Sequence, residues 1–396
     1  MEVDQTKRIL ALDGGGSRGL FTIQILKKIE ALLPDNAAGE KHTLNSYFDL
    51  MAGTSTGAII ATLLRWGFSL DKIEDFYLTK LPTIFSSRWR IPGVHHVYLP
   101  DQLKSELQRE FGVPPGFVNE KVPKTYWKPG EALPDSTMGS KKLQGYLMVV
   151  TMRADTLSPW IQTNHPDAPY NDLNRHDCNL QIPLWQLIRA GTAAPYYFPP
   201  QRVWFPHRDG KPQVVRGRET MGRYFYFVDG AISGYNNPAH IAYRMATLPE
   251  YYFGWETGID KLKVISVGTG DYDSHASRPR PDRAWRIAAK SGAEGSLTSL
   301  MALSGLEQDM QCRIVSRTLH GHWIDRGVGN LQFADPRRDL FTYARYQKQF
   351  SSDEIESFKR RKIDTKFVSV KPDSLKLFVE EGQRYAEEHV KPEHLV

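Results

Sequence analysis

The amino-acid sequence predicts an α/β fold with a mostly parallel sheet flanked by helices, and three observations carry that prediction. A short apolar run, Lys7 to Asp13, passes through a glycine cluster into a helix-periodic stretch from Leu20 to Leu33. The same order repeats at once: Tyr47 to Ala52 is strand-like, Gly53 to Gly57 is a tight turn, and Ala58 to Trp66 is an apolar helix closed by Gly67. Two later apolar runs, Tyr224 to Val228 and Leu262 to Val267, each end in a glycine turn, as strands of a buried sheet do. Strand–turn–helix units in such close succession predict parallel pairing with crossover helices.

Between and beyond these elements the pattern is looser. Eight prolines break up residues 81–136, where only Asp101 to Phe111 reads as a helix, and loops this long in a compact protein suit lids. Gly145 to Met152 is a further strand, and Ile182 to Ala190 an amphipathic helix. A basic insert spans 201–223, and the tail reads as mostly helical. No repeat, low-complexity tract or linker marks a boundary, so residues 1–396 are expected to form one domain with insertions, even though a prior of roughly 150 residues per domain would allow two or three.

Composition excludes several classes. With 40% hydrophobic and 24% charged residues the chain suits a large globular core, not a disordered, collagen-like or coiled-coil protein. Cys178 and Cys312 lie far apart, which excludes a disulfide scaffold or zinc ribbon and fits a reducing compartment. No stretch approaches the roughly 18 apolar residues of a spanning helix, and the start turns polar too early for a signal peptide. A cytoplasmic protein is expected. The net charge of +6 is too mild to signal a nucleic-acid polymer as partner, yet permits an anionic surface or ligand.

Gly53-Thr-Ser55-Thr-Gly57 is a G-x-S-x-G sequence between a strand and a helix. Small residues around Ser55 allow a strained turn that lifts the hydroxyl above the sheet, and the helix N-terminus favours developing negative charge. The plainer alternative is a glycine turn that only packs a helix on a sheet. Asp13-Gly-Gly-Gly-Ser-Arg-Gly19 also opens a helix, so its backbone N–H groups can converge on an anion. That anion is either the oxyanion of acyl transfer or a dinucleotide pyrophosphate, because Gly14, Gly16 and Gly19 also satisfy G-x-G-x-x-G. The dinucleotide option wants an acid ending a second strand, and Glu30, Asp35 and Glu40 are not so placed. A nucleophilic serine also needs a base. None of the twelve histidines, His240, His320 and His322 included, has a comparable strand-end context. Asp229 does, and burial there would raise its proton affinity toward that of a useful general base.

Together the three segments resemble the patatin-like phospholipases. That family pairs a D-G-G-G-x-R-G loop, a G-T-S-T-G elbow and a D-G-G or D-G-A base motif, found here in order at Asp13 to Gly19, Gly53 to Gly57 and Asp229 to Ala231. Arg189 to Phe198, Asn236-Asn237-Pro238 and Ser266 to Gly270 are further echoes, so the resemblance covers about residues 7–272 and the tail only loosely. It implies a three-layer α/β/α patatin-like fold with a mostly parallel central sheet and lid-like loop insertions, and residues 273–396 as a mainly helical extension. It also implies a Ser–Asp dyad: Ser55 as nucleophile, Asp229 as base, and Gly14, Gly15, Gly16 and Arg18 at the oxyanion hole. Gly53, Gly57 and Gly230 would shape the elbow and base turn, and no metal or cofactor is called for. Ala58 and Ala231 stand where glycine is frequent in the family, and both are small.

Trp160, Tyr196, Tyr197, Phe198, Trp204 and Phe205 cluster around loops expected to surround the site, where they either receive acyl chains from a bilayer or fill the core. Arg202, Arg208, Lys211, Arg216, Arg218 and Arg223 share the basic insert, suited to anionic headgroups, a regulatory nucleotide or plain solvation. A bacterial branch of the family, similar in length, is switched on by cyclic oligonucleotides in anti-phage signalling. The resemblance therefore implies hydrolysis of glycerophospholipids at the inner membrane surface under such an activator. A Rossmann-like nucleotide-binding protein and a catalytically silent lipid-binding protein are the alternatives, and the oligomeric state is not legible.

Overall fold

The computed structural model describes residues 6–36, 38–85, 97–114, 127–215, 217–272, 281–324, 327–331, 336–364 and 368–395, with the side chains of 281–297 excepted. In chain order the elements are β1 (Lys7–Leu12), α1 (Gly19–Leu32), α2 (Leu44–Tyr47), β2 (Leu50–Thr54), α3 (Thr56–Arg65), α4 (Leu70–Ile84) and α5 (Pro100–Phe111). There follow β3 (Tyr146–Arg153), β4 (Ser158–Thr163), α6 (Leu184–Gly191), β5 (Gln201–Pro206), β6 (Gln213–Val215), β7 (Arg218–Thr220), β8 (Gly222–Asp229) and α7 (Ala239–Thr247). The tail supplies β9 (Leu262–Val267), β10 (Asp271–Tyr272), α8 (Pro281–Val315), β11 (Arg317–His320), β12 (Thr342–Tyr346), β13 (Gln349–Phe350), α9 (Ser352–Arg360) and α10 (Pro372–His389).

The main sheet runs β11-β12-β9-β1-β2-β3-β8-β5, with β4 also paired to β3. Pairing is parallel from β11 to β3 and antiparallel where β3 meets β4 and β8, and β8 meets β5. The central strands are apolar at nearly every position because both faces are covered. Leu10, Met51, Leu147 and Val267 pack toward α1, α3, α6 and α10, whereas Ile9, Ala52, Met148 and Val264 pack toward α7 and Cys312 of α8. Three layers result, as the sequence predicts.

The differences from the sequence reading have local causes. Tyr47 ends a short helix instead of starting a strand, because Thr43 and Ser46 form a reciprocal capping box that turns the chain before Leu50. Helix α4, not anticipated, starts where the Ser69 side chain accepts the Lys72 N–H and buries Ile73, Phe76, Tyr77, Leu81 and Ile84 on one face. Helix α6 is amphipathic as expected, yet it is buried on all sides, since α5 covers the face that the sheet does not. Strand β8 is antiparallel and one-sided: Phe225, Phe227 and Asp229 point inward while Tyr226 is exposed. The basic insert forms edge strand β5 and the β6–β7 hairpin. The tail adds strands β11 and β12 to the main sheet as well as helices. Of the lid-like stretch 81–136, residues 86–96 and 115–126 lie outside the described residues.

Strand β12 also delivers Arg345 to the C-terminal end of β1, beside Asp13. Its Nη1 donates to Asp13 Oδ1 at 2.7 Å and to Ser266 Oγ at 2.7 Å, and its Nη2 donates to Asp13 Oδ2 at 2.5 Å. Burial opposes the charge on Arg345, but the Asp13 carboxylate outweighs it and holds the guanidinium protonated. Removing one partner of a buried pair strands the other, so Arg345→Ala is expected to cost about 3–5 kcal/mol, read as a lower guanidinium unfolding midpoint. An unchanged midpoint would show that the pair does not hold the loop.

Candidate active site

Strand β2 ends at Thr54 and α3 begins at Thr56, leaving Ser55 between them at φ 52° and ψ −121°. A non-glycine residue is strained there, and that strain is what places the hydroxyl above the sheet edge. The flanking glycines are required by proximity. A Cβ on Gly57 would lie 2.1 Å from the Leu12 carbonyl oxygen, and one on Gly53 would lie 2.4 Å from the Gly57 backbone. Gly57→Ala is therefore expected to cost about 1–3 kcal/mol and to displace Ser55, read by unfolding midpoint and by activity together. Tyr77 of α4 braces the turn, sharing a hydrogen bond with the Thr56 hydroxyl and donating to the Thr56 carbonyl at 3.1 Å.

Sheet register brings a second, carboxylate-bearing turn alongside the elbow. Thr54 at the end of β2 pairs with Val150 of β3, and on the same edge Thr151 pairs with Asp229 at the end of β8. Strand β8 thus takes over where β2 stops, and residues separated by 174 positions become neighbours. The Ser55 side chain makes no capping bond to α3; Oγ donates instead to Asp229 Oδ2 at 2.7 Å. Asp229 Oδ1 accepts the Ala231 N–H at 2.9 Å. Burial pushes the Asp229 carboxyl up to about 6, with the Ser55 and Ala231 hydrogen bonds offsetting part of the rise. Gly230 is needed because a Cβ there would lie 2.4 Å from the Val150 carbonyl oxygen.

The glycine loop lies across from this pair. Gly14 donates its N–H to the Asn236 carbonyl at 3.1 Å, so it anchors the loop and is not an available oxyanion donor as the sequence reading had it. Thr269 Oγ1 donates to the Gly14 carbonyl at 3.3 Å, and its side chain fills the space a Cβ on Gly15 would take. Gly16 turns the chain at φ 58° and lines the cleft over Ser55. Among the described residues, the N–H groups of Gly15 and Gly16 meet no acceptor. Arg18 departs from the expectation: the turn at Gly16 carries its buried side chain to a small cavity behind the loop, beside Asp13, Asn236 and Gln347, and not into the Ser55 cleft. The strand after α1 ends in Thr54 and Ser55 rather than an acid, so the dinucleotide option lacks its ribose partner.

The cleft beside Ser55 and Asp229 is apolar and narrow, about 40 Å³, and walled by Ile59, Leu81, Phe85, Leu103, Tyr197 and Phe198. The expected aromatics divide. Tyr197 and Phe198 face this cleft, Trp160 and Phe205 line a second cavity, Trp204 is half-buried and Tyr196 is exposed. Among the described residues no histidine lines the Ser55 cleft, and His320 stacks with His394 elsewhere. Of the insert's basic residues Arg208 and Arg223 reach the second cavity, and Arg216 lies outside the described residues.

Sequence comparison matches residues 10–243 to the family described as patatin-like phospholipase. The chain belongs to that family. Among its relatives, a cUMP-AMP-activated phospholipase of Escherichia coli is 46% identical over 85 residues, 22% of this chain and 24% of that protein. A cGAMP-activated phospholipase of Vibrio cholerae is 27% identical over 66% of this chain and 64% of its own length. The chain thus matches less than two thirds of either relative. Among solved structures, VipD from Legionella pneumophila aligns with a TM-score of 0.42 at 14% identity, over 97% of this chain and 67% of that one.

Several residues that build this patatin-like site escape a linear reading. Asn236 and Thr269 sit in motifs quoted above, but nothing in the sequence says that they hold Gly14. Tyr77 belongs to the helix that was not anticipated. Arg345 lies 332 positions from its partner Asp13 and carries no local signal.

Proposed function

We propose that this chain is a serine acyl hydrolase that cleaves fatty-acyl esters of membrane glycerophospholipids with a Ser55–Asp229 dyad. The observation that carries the reading is the 2.7 Å hydrogen bond from Ser55 Oγ to a carboxylate that titrates at about 6. A base in that range is ionised at neutral pH yet strong enough to draw a proton from an attacking hydroxyl. Ser55 Oγ attacks the ester carbonyl while Asp229 takes its proton, and the oxyanion accepts the Gly15 and Gly16 N–H groups at the positive end of α3. The tetrahedral intermediate collapses, protonated Asp229 returns the proton to the leaving lysolipid alcohol, and an acyl ester stays on Ser55. Water then attacks that ester with Asp229 again as base, releasing the fatty acid and restoring the serine. Arg18 supports the loop from behind, its backbone N–H donating to the Gly15 carbonyl at 3.2 Å.

The reading includes activation by a cyclic oligonucleotide. Two relatives carry cyclic dinucleotide activation in their names. A cleft of about 40 Å³ holds only a few water molecules, so an acyl chain enters only after Tyr197, Phe198 or Phe85 moves. No described helix is long and apolar enough to cross a membrane, and the reading has the protein act peripherally on the inner membrane surface. Residues 1–396 would work as one unit, a reading supported by tail strands that join the catalytic sheet. The test is fatty-acid release from phosphatidylethanolamine and phosphatidylglycerol vesicles, with and without cGAMP or cUMP-AMP. Nucleotide-dependent release is expected; release without nucleotide would remove the activation step, and no release under any condition would contradict the hydrolase.

A further inference from the structure

A second cavity, of about 420 Å³, opens among β3, β4, β5, β8 and the segment that contains residues 170–179, well inside the size range of small-ligand sites. Its wall carries Arg153, Arg175, Arg208 and Arg223 against a single acid, Asp177. Two of the arginines are fixed. Arg153 grips Asp155 through Nε at 3.0 Å and Nη2 at 2.5 Å, and Arg175 grips Asp177 through Nε and Nη2 at 2.8 Å each. Among the described residues Arg208 and Arg223 make no ion pair, although both face the cavity. Cations gathered in a concave space repel one another and focus a positive field, which an anion inside relieves.

The same wall is aromatic. The Arg153 guanidinium lies 4.1 Å from the Phe225 ring centre and 5.3 Å from that of Trp160, and Arg223 lies 4.5 Å from Phe225. Planar guanidinium and ring faces held side by side accept a flat π-system, while the outer arginines supply paired N–H donors for phosphate oxygens. A phosphodiester joined to an aromatic base satisfies both halves of the wall; an aliphatic headgroup satisfies one. The cavity also adjoins the catalytic strand. Trp160 meets Phe225 and Phe227 at ring distances of 6.3 and 6.2 Å, and Asp229 is the next inward residue of β8 after that pair.

We propose that this arginine-rich cavity binds a nucleotide phosphodiester, and that its occupation is what bears on β8 and the Ser55 cleft. The proposal rests on the activated-hydrolase reading, but its test does not depend on hydrolysis. Ser55→Ala protein is titrated calorimetrically with cGAMP, cUMP-AMP, inorganic phosphate and glycerophosphoglycerol, with and without the added pair Arg208→Glu and Arg223→Glu. The expected result is saturable binding of at least one dinucleotide, weakened at least about 10-fold by the double charge reversal at an unchanged melting temperature. Headgroup and phosphate should bind far more weakly than the dinucleotide. Dinucleotide affinity that survives the charge reversal would overturn the location while leaving nucleotide activation in place. Equal binding of glycerophosphoglycerol would overturn the nucleotide assignment, and absence of any dinucleotide binding would overturn the site. Vesicle hydrolysis by the protein with Ser55 intact separately decides whether the hydrolase reading itself fails.

Discussion

Replacing Ser55 with alanine is expected to lower fatty-acid release by at least about 10,000-fold, because loss of a nucleophile removes the covalent path and leaves only oxyanion and binding effects. Structural damage should be slight. The alanine keeps the backbone at φ 52° and removes one hydrogen bond to a carboxylate that retains the Ala231 N–H. That lost bond is one of the two that hold the Asp229 carboxyl down, so the aspartate should titrate higher in the variant than the value of about 6 in the parent. Activity measured on vesicles, with circular dichroism to check folding, separates loss of chemistry from loss of structure. Residual activity of a few per cent would assign the nucleophile elsewhere.

Asp229→Asn should remove about 100- to 10,000-fold of activity, the usual worth of a general base, and yet stabilise the fold. The amide keeps the shape: its oxygen can accept the Ala231 N–H and its nitrogen can donate to Ser55 Oγ, but it cannot take a proton. Stability changes because the folded carboxyl binds its proton more tightly than the unfolded one, at about 6 against an ordinary 3.8. A raised carboxyl contributes its full stability below about pH 4, and that contribution is lost as pH rises through about 6. At 1.36 kcal/mol per pH unit the parent carries a penalty of up to about 3 kcal/mol above pH 7 that the asparagine variant lacks. The two proteins should therefore unfold alike at pH 4 and diverge by pH 8. For the parent, kcat/KM should rise about tenfold per pH unit below 6 and level off above it. A profile flat from pH 4.5 to 8, or equal stabilities at pH 8, would exclude Asp229 as the ionising base.

How much of this was legible in the sequence follows from which constraints show in the residue type. The elbow, the glycine loop and the base turn are readable because each needs glycine where other atoms press close, even when the neighbour is distant in sequence, as Leu12 is from Gly57 and Val150 from Gly230. Gly53, Gly57 and Gly230 leave no room for a Cβ, so the constraint is written in the residue type itself. The meeting of Ser55 and Asp229 was reached by resemblance, and its physical cause, β8 replacing β2 along the edge of β3, needs the register of three strands. Direction was illegible for β8, since Tyr224 to Val228 is apolar enough to read as buried on both faces while Tyr226 in fact meets solvent. Gly14 was misassigned because a motif does not say which amides are already spent, and Asn236 spends this one. The arginine cavity is half legible: Arg208 and Arg223 stand in the basic insert, whereas Arg153 and Arg175 arrive from separate segments.

The central claim is that Ser55 is a nucleophile activated by Asp229, and covalent trapping tests it most directly. The protein, Ser55→Ala and Asp229→Asn are incubated with a long-chain alkyl fluorophosphonate, with and without cGAMP and cUMP-AMP, and the adduct is located by peptide mass spectrometry. The account predicts one phosphonyl group on Ser55 in the parent, none in the alanine variant and labelling slowed at least about 100-fold in the asparagine variant. An adduct on any other residue, or equal labelling rates in parent and Asp229→Asn, would contradict it.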